Sequence, residues 1–268
     1  MTELPILPDL ADATFSVFRV EIDQERERAD VILGNGDYNI VTMPARDELR
    51  HAIETLDNDD RVRVIVIRAD GQHFSSGGYI KGFMEASPEH VSRLADNIAA
   101  PARATKPVIA ANRGYCFGVG FELSLACDFR IASETTRYAL PEQKLGQIPG
   151  SGGSARLQRM IGITRTKDVV MRSRRITAQE ALAWGIATMV VPDAELEQAT
   201  DALVDELRGF SPLAQRTAKR MLNEAEDQTV SSAIETEGHC YARLRQSEDF
   251  AEGVAAFHEK RPPRFTGR

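Results

Sequence analysis

The chain has 268 residues, 42% of them hydrophobic, enough to bury a large core in one domain with an appendage or in two small domains. A formal net charge of −7 argues against a nucleic-acid binder, which would be basic. No apolar run approaches the roughly 20 residues that cross a membrane, and the opening MTELPILPDLADA is acidic with no basic leader, so the expected location is the cytoplasm.

TFSVFRVEI and ADVILG are rich in β-branched and aromatic residues and predict two strands. MPARDELRHAIETLDND follows with Leu49, Ile53 and Leu56 at i, i+4 and i+7, the spacing of one helical face. VRVIVIRAD predicts a third strand that ends at Asp70-Gly71. A helix over about 88–104 then leads to KPVIAAN, a buried strand, and DFRIAS predicts another after a glycine-rich turn. Strands alternating with helices imply an α/β core. From about residue 195 the strand signal stops. ELEQATDALVDELRGF places Leu196, Ala199, Leu203 and Leu207 on one helical face, and SPLAQRTAKRMLNEA opens with Ser211 as N-cap and Pro212 at the first helical position. Helical signal continues to about Lys260. The expected organisation is a core over 1–195 and an all-helical region over 196–268 that packs on its own core or on a neighbouring subunit.

The chemistry concentrates in three glycine-rich stretches. In RGYCFGVGFE, Gly118 and Gly120 permit a tight turn into a helix beginning near Val119. The first N–H groups of that helix lack intrahelical partners and carry the positive end of its dipole, so they can hold a developing oxyanion. Glu122 lies three residues further on, and helical side chains lean toward the N-terminus. Its carboxylate either stands beside an oxyanion site or caps its own helix. FSSGGYIKGF, after the third strand, offers the Gly78 N–H as a second donor. LPEQKLGQIPGSGGSARLQRMIG carries Glu142 on a loop stiffened by Pro141 and Pro149. Two acids on separate loops can serve as base and acid on one substrate.

Other chemistries fit less well. PGSGG has Pro149 where a nucleophile elbow needs its first glycine, and there is no GxGxxG or P-loop. His51, His73, His90, His239 and His258 show no metal-ligand spacing, so no metal is expected. Cys116, Cys127 and Cys240 form no CxxC pair and read as free thiols. The basic end EKRPPRFTGR, with Lys260, Arg261, Arg264 and Arg268, is either a solvated tail or a seat for an anionic cofactor.

Taken together, the three stretches resemble the crotonase superfamily, the enoyl-CoA hydratase/isomerase family. The second stretch continues as RGYCFGVGFELSLACDFRIAS, with the family's E-L-x-x-x-C-D ending. ITAQEALAWGIATMVVPDAEL, SPLAQRTAKRMLN and FAEGVAAFHEKRPPRF resemble later family blocks in the same order. The resemblance implies an α/β spiral of ββα units, with a C-terminal helical region that drives trimer formation, often as a dimer of trimers. It implies a coenzyme A thioester substrate, with coenzyme A entering only as part of the substrate and no other cofactor.

Carried over, Gly78 and Val119 supply the two N–H groups of the oxyanion hole, and Glu122 and Glu142 match the two acids of hydratase members. Having both favours hydration of a 2-enoyl-CoA to a 3-hydroxyacyl-CoA. Isomerisation, C–C hydrolysis and lyase chemistry on the same scaffold remain alternatives. A non-catalytic CoA-ester binder is a further one, disfavoured because buried acids are costly to desolvate. Ser76, Tyr79, Ile80 and Lys81 are expected along the substrate, and Phe257 and Lys260 match positions near the CoA moiety. The sequence departs from the family in three places. Tyr79 stands where many members have Asp, Val119 replaces the middle glycine, and GNGDYNIVTM lacks the basic residue often found before the asparagine.

Overall fold

The computed structural model describes residues 16–268. The acidic N-terminal segment and the start of the first predicted strand, Thr14 and Phe15, lie outside them. Strands β1 (Phe18–Asp23) and β2 (Arg28–Leu33) form an antiparallel pair. Helix α1 (Met43–Asp57) follows, with Thr42 accepting from the Ala45 N–H at its start and Pro44 in its first turn. β3 (Val64–Ala69) pairs parallel with β2.

Three short helices, α2 (Ile80–Glu85), α3 (Pro88–Ser92) and α4 (Leu94–Ile98), and a single turn, α5 (Ala100–Arg103), come next. The one helix expected over 88–104 is therefore broken twice. Pro101 has no N–H to continue a ladder and its ring would meet the carbonyl four residues back, so the chain restarts at Ala100. The earlier break, at Arg93, has no such local cause.

β4 (Val108–Asn112), β5 (Tyr115–Phe117), α6 (Val119–Ala126), β6 (Phe129–Ser133), β7 (Arg137–Ala139) and α7 (Gly153–Met171) complete the repeating part. β8 (Ile176–Thr177), α8 (Ala178–Ala183) and β9 (Met189–Val191) close it. The large sheet has the order β1-β2-β3-β4-β6-β9, parallel from β2 onward, and the small sheet has the order β5-β7-β8.

Successive turns of chain place one strand in each sheet and then a helix: β4, β5, α6, then β6, β7, α7. Single bridges from Val41 to Gly78 and from Ser75 to Cys116 extend the small layer to earlier turns. This is a spiral of ββα units. β2 and β4 are buried along their whole length, as parallel strands covered on both faces must be. Their inner face packs on Leu49, Ile53, Phe121, Tyr138 and Leu157.

The outer face of the large sheet is roofed by α9 (Leu196–Arg208). Leu196, Leu203, Val204 and Leu207 pack there on Val64, Val66, Ile109 and Ile131. Leu203 and Leu207, expected partly against other subunits, are thus buried against this chain's own sheet. α10 (Pro212–Ala225), α11 (Val230–Leu244) and α12 (Glu248–Glu259) follow. Ser211 caps α10 by accepting the Ala214 N–H at 3.1 Å, as its sequence predicts. These helices bury little within one chain: Pro212 is the one buried residue of α10, and α11 has none.

Candidate active site

The site forms where strand ends of the small layer meet the helices that follow them. Val41 donates to the Gly77 carbonyl at 3.0 Å, and Tyr79 donates to the Val41 carbonyl at 3.2 Å. A strand alternates its hydrogen bonds between sides, so the Gly78 N–H faces away from this pairing and donates to no described residue. On the neighbouring strand, Phe117 donates to the Ser75 carbonyl and Gly118 to the Ala139 carbonyl, each at 2.9 Å. Gly118 then turns at φ 51°, and α6 begins. The Val119 N–H, in the first helical turn, likewise has no acceptor.

A side chain at Gly118 would be strained by the backbone and crowded by Glu142. Its φ is one that L-residues rarely adopt, and a Cβ there would stand 3.1 Å from Glu142 Oε1 and 3.7 Å from the Gly77 Cα. The first and second loops and Glu142 therefore converge on one point.

Glu122 is buried on α6. Its Oε1 accepts the Ser151 N–H at 2.7 Å and the Gly153 N–H at 3.1 Å, both from the third loop at the start of α7. The carboxylate thus does not cap its own helix; it is clamped by another. Oε2 makes no hydrogen bond with a described residue. Gly153 leaves room for this: a Cβ would lie 2.8 Å from Glu122 Cγ.

Glu142 opens a single 3-10 turn, Glu142–Leu145, after β7. Its Oε2 is buried with no hydrogen-bond partner among the described residues. Burial pushes this carboxyl up to about 7; a hydrogen bond from its own backbone opposes the shift, the charge of Glu122 adds to it, and Arg46 offsets part of it.

Arg46 is the residue that sequence reasoning missed. It lies on the buried face of α1 with Leu49 and Ile53 and is itself buried. Its Nη1 donates to Ser151 Oγ at 3.0 Å, and its guanidinium stands 5.3 Å from the centre of the Phe83 ring. Burial lowers its pKa to about 10, opposed by the charges of Glu122 and Glu142. A sequence signal existed: a cation sits on the otherwise apolar stripe of a helix.

Beneath the loops, Tyr38, His73, Tyr115 and Phe117 form a ladder of stacked rings, with centroids 5.5, 4.2 and 4.7 Å apart in turn. His73 Nδ1 accepts the Tyr115 N–H at 3.2 Å, and Asn39 donates to the carbonyls of Asp70 and His73. These contacts brace the first and second loops against each other. Among the described residues no group of three or more His, Cys, Asp or Glu is placed to hold a metal ion.

Gly78, Val119, Glu122 and Glu142 are thus brought together. Ser76 is half-buried beside them and donates its N–H to the Tyr38 carbonyl. Tyr79, Ile80 and Lys81 are exposed at the start of α2, where Tyr79 borders a groove with Thr42, Met43, Pro44 and Ser87. Phe257 and Lys260 are not brought to the cluster. Phe257 is 81% exposed on α12 and stacks edge-on with His258, while Lys260 ends that helix in a left-handed conformation.

The model of the enoyl-CoA hydratase/isomerase family matches residues 32–268. The chain belongs to that family. Among relatives in it, the mitochondrial methylglutaconyl-CoA hydratase of Homo sapiens is 35% identical over 262 residues, covering 93% of this chain and 77% of that protein. Carnitinyl-CoA dehydratase of Proteus mirabilis (strain HI4320) is 34% identical over 247 residues, covering 89% and 95%. The crystal structure of an enoyl-CoA hydratase subunit I from Geobacillus kaustophilus HTA426 superposes with a TM-score of 0.90 at 32% identity, over 96% of this chain and 100% of that one. The spiral of ββα units is the crotonase fold.

Proposed function

We propose that this family member adds water across the double bond of a 2-enoyl-CoA thioester, giving a 3-hydroxyacyl-CoA, with Glu122 and Glu142 as its two catalytic acids. By its family the protein is a hydro-lyase of the enoyl-CoA hydratase type, with an acyl-CoA substrate. One observation supports this reading: two backbone N–H groups with no acceptor among the described residues, Gly78 and Val119, open beside the buried Glu122 and the half-buried Glu142, whose carboxyl burial pushes up to about 7.

Attack of water at C3 drives negative charge onto the thioester oxygen. The Gly78 and Val119 N–H groups meet that oxygen, and each such preorganised donor contributes about 3 kcal/mol to the transition state. Glu122, clamped through Oε1 by Ser151 and Gly153, has Oε2 available to orient the water and take its proton as the C3–O bond forms. Glu142, with a carboxyl near 7, holds a proton in part of the population at neutral pH and gives it to C2 of the enolate. Water is consumed, and one proton passing from Glu122 to Glu142 restores both acids.

The names of two relatives, a hydratase and a dehydratase, are the two directions of this one chemistry, which supports the reading. The test is a spectrophotometric screen of 2-enoyl-CoAs, from crotonyl to long-chain and aromatic acyl groups, following loss of the conjugated enoyl absorbance. At least one member should be hydrated with product identified as the 3-hydroxy ester. Shift of the double bond without uptake of water would replace hydration by isomerisation.

A further inference from the structure

Arg46 stands at the site and holds Ser151, yet most of its donors are left unused by the hydration chemistry proposed above. A guanidinium has five N–H donors. Among the described residues Arg46 makes one hydrogen bond, from Nη1 to the neutral Ser151 hydroxyl. Its Nε is buried with no acceptor, and Nη2 donates to no described residue. Nε and Nη2 form the edge of the fork that grips a carboxylate with two parallel hydrogen bonds. No carboxylate of the described residues lies within ion-pair distance of Arg46; Glu122 and Glu142 reach it only through longer-range charge. Burying a guanidinium without a bonded partner is costly, and a site retains it where an anion completes it.

Its placement relative to the reacting atoms is specific. Nη2 lies 3.1 Å from the point a Cβ on Gly78 would occupy, next to the backbone that offers the oxyanion N–H. The Phe83 ring covers the same spot, with Cζ 3.0 Å from that point. Phe83 belongs to α2, a six-residue helix with no buried residue and no side-chain cap, so its ring is lightly held and can yield to an acyl tail.

We propose that Arg46 receives a carboxylate at the far end of the acyl chain, so that the preferred substrate is a short 2-enoyl-CoA with an acidic tail. The chain must be short because the thioester oxygen and the tail bind on neighbouring atoms of one loop. The proposal rests on the hydratase reading of the same site, and its test includes an arm that needs no turnover.

The experiment compares two five-carbon 2-enoyl-CoAs, one ending in carboxylate and one in methyl, as substrates of the purified full chain and of Arg46→Met and Arg46→Lys. The wild type should favour the acidic ester by at least about 30-fold in kcat/KM, the scale of a charge-assisted hydrogen bond. Arg46→Met should abolish that ratio, and Arg46→Lys should keep part of it. In parallel, calorimetric titration with saturated glutaryl-CoA and valeryl-CoA reads the same preference in wild-type binding, whether or not the variants fold. A binding preference without hydration of any ester would sink the hydratase reading and leave the carboxylate site standing. Equal wild-type affinity for the two saturated esters would overturn the carboxylate site. So would an Arg46→Met variant that weakens both equally, since Arg46 would then act only by holding Ser151.

Discussion

Glu142 has a buried oxygen with no partner among the described residues, whereas Glu122 has two backbone N–H groups on a single oxygen. The difference has a thermodynamic consequence. The Glu142 carboxyl is raised from 4.5 to about 7, chiefly by burial. Below pH 4.5 it is protonated in both folded and unfolded chains. Between pH 4.5 and about 7 the unfolded chain loses the proton and the folded one keeps it, so Glu142 erodes stability as pH rises through that window, and the loss is complete above it. Glu142→Gln removes this cost. Urea denaturation should find the variant more stable than wild type by up to about 3 kcal/mol near pH 8, with the gap closing near pH 4. A gap independent of pH would show that burial does not hold this proton.

That Glu122 and Glu142 lie near one another was legible at this scale, because one follows a glycine-rich turn into a helix and the other lies in a proline-stiffened loop ahead of a second glycine-rich stretch. What holds them was not. The groups that clamp Glu122 lie 29 and 31 residues away in sequence and meet it only once the spiral has formed. Arg46 showed only as a misplaced charge on an apolar stripe.

On the proposed reading of the site, substrate selection turns on helix α2. Tyr79 precedes it, 45% exposed, and provides no cap for it. The residue is exposed, so Tyr79→Asp should leave thermal stability within about 0.5 kcal/mol of wild type, the range of surface substitutions. The profile of kcat/KM over short, long and aromatic acyl-CoAs should change, while affinity for free CoA should not. Parallel profiles for the two proteins would remove Tyr79 from the acyl site. Strands β2, β3, β4 and β6 and helices α1, α9 and α10 match the sequence reading because their patterns are strong, whereas β5, β7, β8 and β9, of two or three residues each, are too short to show one. The stretch after α2 does not match it, since Pro101 and the break at Arg93 divide an apolar pattern that reads as one helix.

For the whole molecule, α9 and the later helices have separate roles that the sequence merged into one region. The stripe of α9 matches the outer face of the large sheet and is covered by it. A periodic stripe says that a face is buried but not by what, which is why Leu203 and Leu207 looked available to a neighbour. α10 and α11 differ: Leu222, Val230, Ile234 and Tyr241 are 60%, 78%, 62% and 66% exposed in the single chain. We propose that these residues form an association surface, as large exposed apolar patches do. Light scattering at micromolar concentration should therefore give a trimer or hexamer, and Ile234→Glu with Tyr241→Glu should shift it toward monomer. A wild-type monomer would contradict the assignment of these helices.

In the proposed mechanism Glu122 and Glu142 act together on one water and one enolate held at Gly78 and Val119. Its most direct test is kcat for hydration, on the best 2-enoyl-CoA from the screen, in Glu122→Gln, Glu142→Gln and the double variant, with binding of the saturated ester measured alongside. In each single variant kcat should fall by at least about 100-fold with ester affinity retained. The double variant should fall by much less than the product of the two, because the acids act as a unit. Near-wild-type kcat in either single variant would contradict it.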